Sequence, residues 1–391
     1  MKQRILKLND IKNTNHQIVL EILLKSEGMS RTELAKKMGC DNTTISRAVR
    51  NLIARGIVIQ GKKEEHGHGR PRITLELNPK GPALIGISAE PECITGVITD
   101  LRGKILERDN VFFSGKPTRD QYLSQAEGIV RRLKEIAKER FAGIGVSGFG
   151  TYIGEDFVLQ NAASMPSLNG TKLQPFFNKI AGRHVTISDH LIAKMALFSH
   201  DYPEINTGSS VLISCEHGIG ATFSVNGKIL FSKLNHSGEF GHTVVDPNGP
   251  RCDCGRAGCL EALASSKTLL NNCQQKLKQP ELTFDQLCRE FQAGNAAVEE
   301  EVQKIARYLG IAVANLVTTC PVDKMFITGR LLDLGEKFQD MLNDVINAHI
   351  FPSFIDDFKI YFVRLDANTA IARGAAILAW RKENSLPPVR S

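Results

Sequence analysis

The stretch HSGEFGHTVVDPNGPRCDCGRAGCLE, residues 236–261, constrains the fold of this chain more than any hydropathy pattern does. Three cysteines spaced C-x-C-x4-C follow a histidine ten residues upstream, and a glutamate stands just outside each end of the set. Such donors imply a metal, which with carboxylates so near is either a catalyst or a brace. His242, Cys252, Cys254 and Cys259 offer one imidazole and three thiolates, a soft tetrahedral set suited to Zn2+. Gly249, Gly255 and Gly258 let the chain wrap a small radius. Four protein ligands leave no open position for a catalytic water, so the site at 242–259 is expected to be structural.

The other cysteines, Cys40, Cys93, Cys215, Cys273, Cys288 and Cys320, are scattered and read as small buried apolar residues rather than a disulfide scaffold. The N-terminus MKQRILKLNDIKNTN lacks the apolar core of a secretory signal, and no run of 18 apolar residues could insert in a membrane. A cytoplasmic protein is expected. At 391 residues the chain is long for one core, and two or three domains are anticipated.

Charge divides the chain sharply. Residues 1–78 hold 15 Lys+Arg against 8 Asp+Glu, whereas residues 79–391 hold 34 of each, so the whole net charge of +7 sits in the first fifth. A basic end on a neutral body suits a nucleic-acid-binding module, because phosphate neutralisation is the main sequence-independent source of DNA affinity.

That basic end reads as three helices and a hairpin. Ile18, Ile22 and Leu23 recur at helical spacing after Asn15 or His16. In SRTELAKKM, Ser30 and Glu33 have capping-box spacing, and Gly39 breaks the chain. A third helix opens near Asp41 or Asn42, turns Ile45, Val49, Leu52 and Ile53 inward, and ends at Gly56. Two short helices on a tight turn make a helix-turn-helix, whose second helix carries Asn42, Thr43, Thr44, Ser46, Arg47 and Arg50 outward. Short polar groups near a helix start with arginines behind suit base edges and phosphates of the major groove; a solvated helix face is the plain alternative. The alternating strands of IVIQGKKEEHGHGRPRITLEL form a wing, whose Arg70 and Arg72 are candidates for a narrow minor groove, or simply a basic turn. NPKGP, residues 78–82, has the composition of a linker.

From residue 83 the texture becomes α/β. ALIGISAE, CITGVITDLRGKIL, FAGIGVSGFG, VTISD, SSVLISCEHGIGATFSV and KMFITG read as strands, with helices near 120–140 and 297–319. Strand, hairpin, strand, helix and strand, occurring twice, predicts a duplicated nucleotide-kinase-type fold.

GEFGH followed by CDCGRAGCLE resembles the signature of the ROK family (repressors, open reading frames and sugar kinases), and the N-terminal winged helix resembles the family's repressor branch. The likeness runs from SRTELAKKMGCDNTTISRAVRNLIARGIV to the terminal ARGAAILA. It implies a winged helix-turn-helix at 1–80, then a two-lobed actin/hexokinase-like (ribonuclease H-like ATPase) ROK domain at 81–391. It also implies zinc at the four donors. Glu239 and Glu261 would accept hydrogen bonds from sugar hydroxyls, His242 would both ligate zinc and approach the sugar, and Asn169 in SMPSLNG would contribute, with Ser164 in the place of the family's Asn.

The family's kinases carry an Asp base, and Asp189 of ISDHLIAKMAL keeps its place, with Ser188 where the kinases have Asn. Their Asp-x-Gly-Gly-Thr phosphate loop is replaced by GISAEPECITGV, where Ser88 stands for the Asp and Glu90-Pro91-Glu92 fills the glycine region. Proline lacks an N–H, and carboxylates repel a triphosphate. Glu216 and His217 likewise replace glycine and threonine in a second phosphate turn, and ITGRLLD keeps only Gly329 of a third. The expectation is a non-enzymatic regulator that binds an operator in double-stranded DNA and answers to a sugar or phosphosugar. It would act as a homodimer or dimer of dimers, because one recognition helix reads too few base pairs. A sugar kinase carrying a DNA-binding domain, or a body that recruits a sugar-transport-system protein, are the alternatives.

Overall fold

The computed structural model describes residues 8–64, 72–160, 162, 165–230, 237–354 and 358–383. Its first elements follow from local chemistry. α1 (Leu8–Leu24) leads to a short β1 (Met29–Ser30), α2 (Arg31–Met38) and α3 (Asn42–Ala54). The capping box forms: Glu33 N donates to Ser30 Oγ and Ser30 N to Glu33 Oε2. Gly39, at φ +63°, closes α2 in the left-handed region. Ile45, Val49 and Leu52 are buried as anticipated, and Ile53 is half-buried.

Two differences are instructive. α1 begins at Leu8 rather than near Asn15, since Leu8 and Ile11 continue the helical spacing of Ile18 through residues that look like caps. β1 adds a third strand to the wing hairpin of β2 (Val58–Glu64) and β3 (Arg72–Leu77), pairing Met29 with Leu75 and Ser30 with Thr74. A two-residue strand leaves no periodic signal.

The remaining elements are β4 (Ala83–Ala89), β5 (Cys93–Thr99), β6 (Ile105–Phe112), α4 (Arg119–Ala137), β7 (Phe141–Gly148), β8 (Thr151–Ile153), β9 (Val158–Gln160), α5 (Leu173–Ala181), β10 (Thr186–Asp189) and α6 (His190–Asp201). They continue with β11 (Ser209–Cys215), β12 (Ile219–Val225), β13 (Lys228–Leu230), α7 (Leu260–Ala264), α8 (Ser266–Leu277), α9 (Phe284–Gln292), α10 (Ala296–Thr319), β14 (Lys324–Thr328), α11 (Glu336–His349), β15 (Lys359–Phe362) and α12 (Ala367–Glu383). The duplication is explicit in the sheets. One has the order β10-β7-β4-β5-β6 and the other β13-β12-β11-β14-β15. Each opens with two antiparallel hairpins and adds two parallel strands on the far side of its first strand.

The chain divides into two compact units, residues 1–197 with 371–389 and residues 198–370 with 390–391, so the divisions fall within α6 and α12. The first unit has a core between its sheet and α4 and α5. Its winged-helix core is shared with Leu84, Leu101, Ala376 and Trp380. The linker is pinned rather than loose: Arg140 donates to Gly81 O and Pro79 O, and Asn78 Nδ2 to Gly56 O. Arg102 donates to Leu24 O and Ser26 O at the end of α1. Gly86 and Gly145 lie so close to the carbonyls of Ala372 and Ala375 in α12 that a Cβ on either would collide with backbone. The second unit packs β11, β12 and β14 against α7 to α11. Among the described residues no helix is long and apolar enough to cross a membrane.

Candidate functional site

The four soft donors come together in the second unit. Phe240–His242 forms a single tight turn, and Val244 bridges to Cys259 and Arg251 to Ala257, folding the intervening chain into a small knuckle. Cys252 N donates to Arg256 O and Gly258 N to Pro250 O. Gly258, at φ +72°, lies against Asp246 O where no Cβ would fit. Tyr308 of α10 donates its hydroxyl to Asp246, anchoring the knuckle to the unit's core.

His242 Nδ1 is 3.5 Å from Cys252 Sγ, Cys254 Sγ is 3.6 Å from Cys259 Sγ, and all four donor atoms lie within 4.8 Å of one another. Bonds of about 2.3 Å to sulfur and 2.0 Å to nitrogen give a tetrahedron edges of roughly 3.5–3.8 Å. The set is therefore the right size and chemistry to hold a metal ion. Hydrogen bonds from Arg256 hold the Cys254 thiol down at about 6, whereas burial pushes Cys259 up to about 12. A bound cation would deprotonate all three.

The flanking carboxylates are placed by the same knuckle. Glu239 Oε2 lies 3.9 Å from His242 Nε2, so the ring turns one nitrogen to the sulfurs and the other toward a carboxylate. Glu261, in the first turn of α7, accepts from Ile219 N at 3.1 Å through Oε2. Glu216 accepts from Arg330 N at 3.1 Å, so the backbone N–H of the Gly329 turn already faces an internal anion.

In the first unit Asp189 ends β10 and its Oδ1 accepts from Ile192 N at 2.8 Å, orienting the carboxylate at the start of α6. Asn169 is exposed, and its Oδ1 accepts from Ala162 N, bracing its own loop. Ser164 lies outside the described residues. A pair that the motif comparison did not anticipate stands beside Asp189: His190 Nε2 is 3.2 Å from Glu90 Oε1, to which Ser88 Oγ also donates at 3.3 Å. Glu90 was visible as a departure from the phosphate loop, but its contact with His190 joins positions 100 residues apart.

On α3, Asn42, Thr43, Arg47 and Arg50 are exposed, and Thr44 and Ser46 are half-buried. Thr44 is partly committed elsewhere, since its N–H and hydroxyl both donate to the Asp41 cap. Those bonds hold the exposed Asp41 carboxyl below the usual carboxylate range. Arg72 opens β3 opposite Glu64, and Arg70 lies outside the described residues.

With this geometry in hand, three relatives are informative. The xylose repressor of Bacillus spizizenii is 24% identical over 355 residues, spanning 90% of this chain and 91% of that protein. The crystal structure of a ROK family transcriptional regulator described as a homolog of the E. coli MLC protein superposes with a TM-score of 0.81 at 22% identity, covering 96% of this chain and 98% of that one. A ROK hexokinase from Thermus thermophilus matches with a TM-score of 0.66 at 24% identity over 78% of this chain and 99% of its own. Residues 14–65 match the MarR family, a resemblance confined to the helix-turn-helix end. Residues 84–382 match the ROK family, and by that match over most of its length the chain belongs to the ROK family.

Proposed function

We propose that this protein is a sugar-responsive, DNA-binding transcription regulator, in the main a repressor of carbohydrate uptake or catabolism genes. The observation that carries the reading is a winged helix whose α3 exposes Asn42, Thr43, Arg47 and Arg50 on a ROK body. Residues 1–80 serve as the operator-binding module and residues 81–391 as the sensor. Arg47 and Arg50, one helical turn apart, can reach adjacent phosphates or guanine edges of a major groove. Half-site reading by paired copies in the cytoplasm follows from the limited footprint of one helix.

In the sensor, zinc on His242, Cys252, Cys254 and Cys259 would stiffen the loop that presents Glu239 and Glu261. Ionised carboxylates accept hydrogen bonds from sugar hydroxyls, the role also proposed for Asp189, with His242 and Asn169 as further candidates. The ion supplies rigidity and no chemistry, because the donor set leaves no coordination position open.

The rival reading is a sugar kinase. It is disfavoured by Glu90-Pro91-Glu92 in the first turn and by the Glu216 carboxylate against Arg330 N, both hostile to a triphosphate. An ATP-dependent phosphorylation assay over hexoses and aminosugars tests the choice. No turnover is expected; turnover abolished by Asp189→Asn would establish the kinase instead. A pull-down of a transport-system protein insensitive to any sugar would favour the recruitment alternative.

A further inference from the structure

The core of the winged helix is closed by the body. Leu20 and Leu23 of α1 and Leu52 of α3 share one buried cluster with Leu101 of the β5–β6 turn and with Ala376 and Trp380 of α12. Trp380, the single tryptophan of the chain, is buried at this contact. Withdrawing α12 would expose apolar surface on both sides, so the module is seated on that helix rather than tethered to it. Polar groups hold the same seat. Arg373 of α12 donates to Gly103 O, in the turn whose Arg102 holds Leu24 O and Ser26 O at the end of α1. Glu21 of α1 is half-buried, and its Oε1 is buried with no hydrogen-bond partner among the described residues. Burial raises the Glu21 carboxyl, and the charges of Lys25, one turn along α1, and Arg381 of α12 oppose that rise. Attraction between charges has no preferred direction but changes with distance, so this contact responds to any displacement of α12 against α1.

Further toward its N-terminus α12 meets the body backbone to backbone. A Cβ on Gly374 would collide with the carbonyl of Ala193 in α6, just as one on Gly86 or Gly145 would collide with the carbonyls of Ala372 and Ala375. Helices in such contact cannot shift separately, because close-packed interiors transmit strain. β10 ends at Asp189, a residue proposed for the sugar, and α6 opens at His190 directly after it. The chain passes from one unit to the other within α6 and again within α12. The helix that seats the winged helix is therefore packed, with no side chain between, on the helix that follows a candidate effector residue.

We infer that α12 transmits the effector state of the body to the DNA-binding module, with Trp380 as its seat in that module and with Glu21 and Arg381 as positioning residues. The inference rests on the sugar-responsive reading and gives it a route through the first unit. Glu21 and Arg381 are assigned to neither the operator nor the sugar; they set how α1, and with it α3, is held. Removing either charge should leave both ligands bound and weaken the link between them.

The test uses the zinc-loaded full chain and a labelled duplex that it selects from genomic fragments. The sugar is whichever of D-xylose, D-glucose, N-acetyl-D-glucosamine, further aldoses and amino sugars, and sugar phosphates raises the midpoint of unfolding by mass action. Coupling is read as the ratio of duplex affinities with and without that sugar. In the wild type, saturating sugar should change the emission of Trp380, and the ratio should be at least about tenfold. Glu21→Gln and Arg381→Gln, each shown to fold by a thermal melt, should keep sugar affinity within about twofold and bring the ratio below about threefold. Arg381→Lys, which keeps the charge, should retain the wild-type ratio. A ratio unchanged in both charge-removing variants, or bound sugar that leaves Trp380 emission unmoved, would overturn the inference while leaving the regulator reading intact. Stabilisation by none of the sugars, or a wild-type ratio of one with sugar bound, would overturn that reading and the inference with it.

Discussion

At the scale of single residues the four-donor knuckle is the feature most open to test. Its four donors were readable because they lie within 18 residues of sequence, and local spacing fixes what local chain can bring together. Cys259→Ser replaces a buried donor, and the variant should lose stoichiometric zinc and unfold at lower temperature, as measured by atomic absorption and a thermal melt. Acid should have the same effect. Ligands must be deprotonated, so the stability that zinc would contribute is present at neutral pH and falls as acid protonates the thiolates, of which Cys254 is held at about 6. A zinc-dye release assay between pH 7.5 and pH 5 should report the ion leaving on the acid side. What the sequence did not disclose at this scale was pairing across distance. Glu90 read only as an obstacle to phosphate, and its partner His190 follows from the parallel register of β4, β7 and β10.

Elements were legible where period and caps agreed. The Ser30–Glu33 box, the Gly39 stop and the inward face of α3 all stand where their spacing put them. The duplicated sheet was foreseeable from strand order, since hairpin-then-crossover connections recur at matching places. The pinned linker and the seat of α12 on the first sheet were not, because both depend on contacts far apart in sequence. Gly145→Ala drives a methyl group into the carbonyl of Ala375 and should cost about 2 kcal/mol or more. Gly154→Ala has open space and only its positive φ to contend with, and should cost about 1 kcal/mol. Denaturant melts that rank the two in the reverse order would contradict the packing of α12. On α3, Arg47→Ala should weaken DNA binding and, if the guanidinium meets a phosphate, lower the salt-dependence slope by about 1. Anisotropy titrations at several salt concentrations provide the comparison.

At the scale of the whole molecule, a basic winged helix is joined to a ROK body, and regulation by a ligand requires that the two share one equilibrium. Within the first unit their continuity is physical: Trp380 of α12 and Leu101 sit in the winged-helix core, and Arg102 holds the end of α1. A ligand that prefers the body in one state must then change DNA affinity by the same factor by which DNA changes the ligand's affinity. The direct measurement is the affinity of the full chain for a duplex that it selects from genomic fragments, taken with and without a saturating sugar that stabilises it. The sugar is expected to shift that affinity at least tenfold, equivalent to about 1.4 kcal/mol of coupling. Equal affinity in the two conditions, with sugar bound in both, would contradict it.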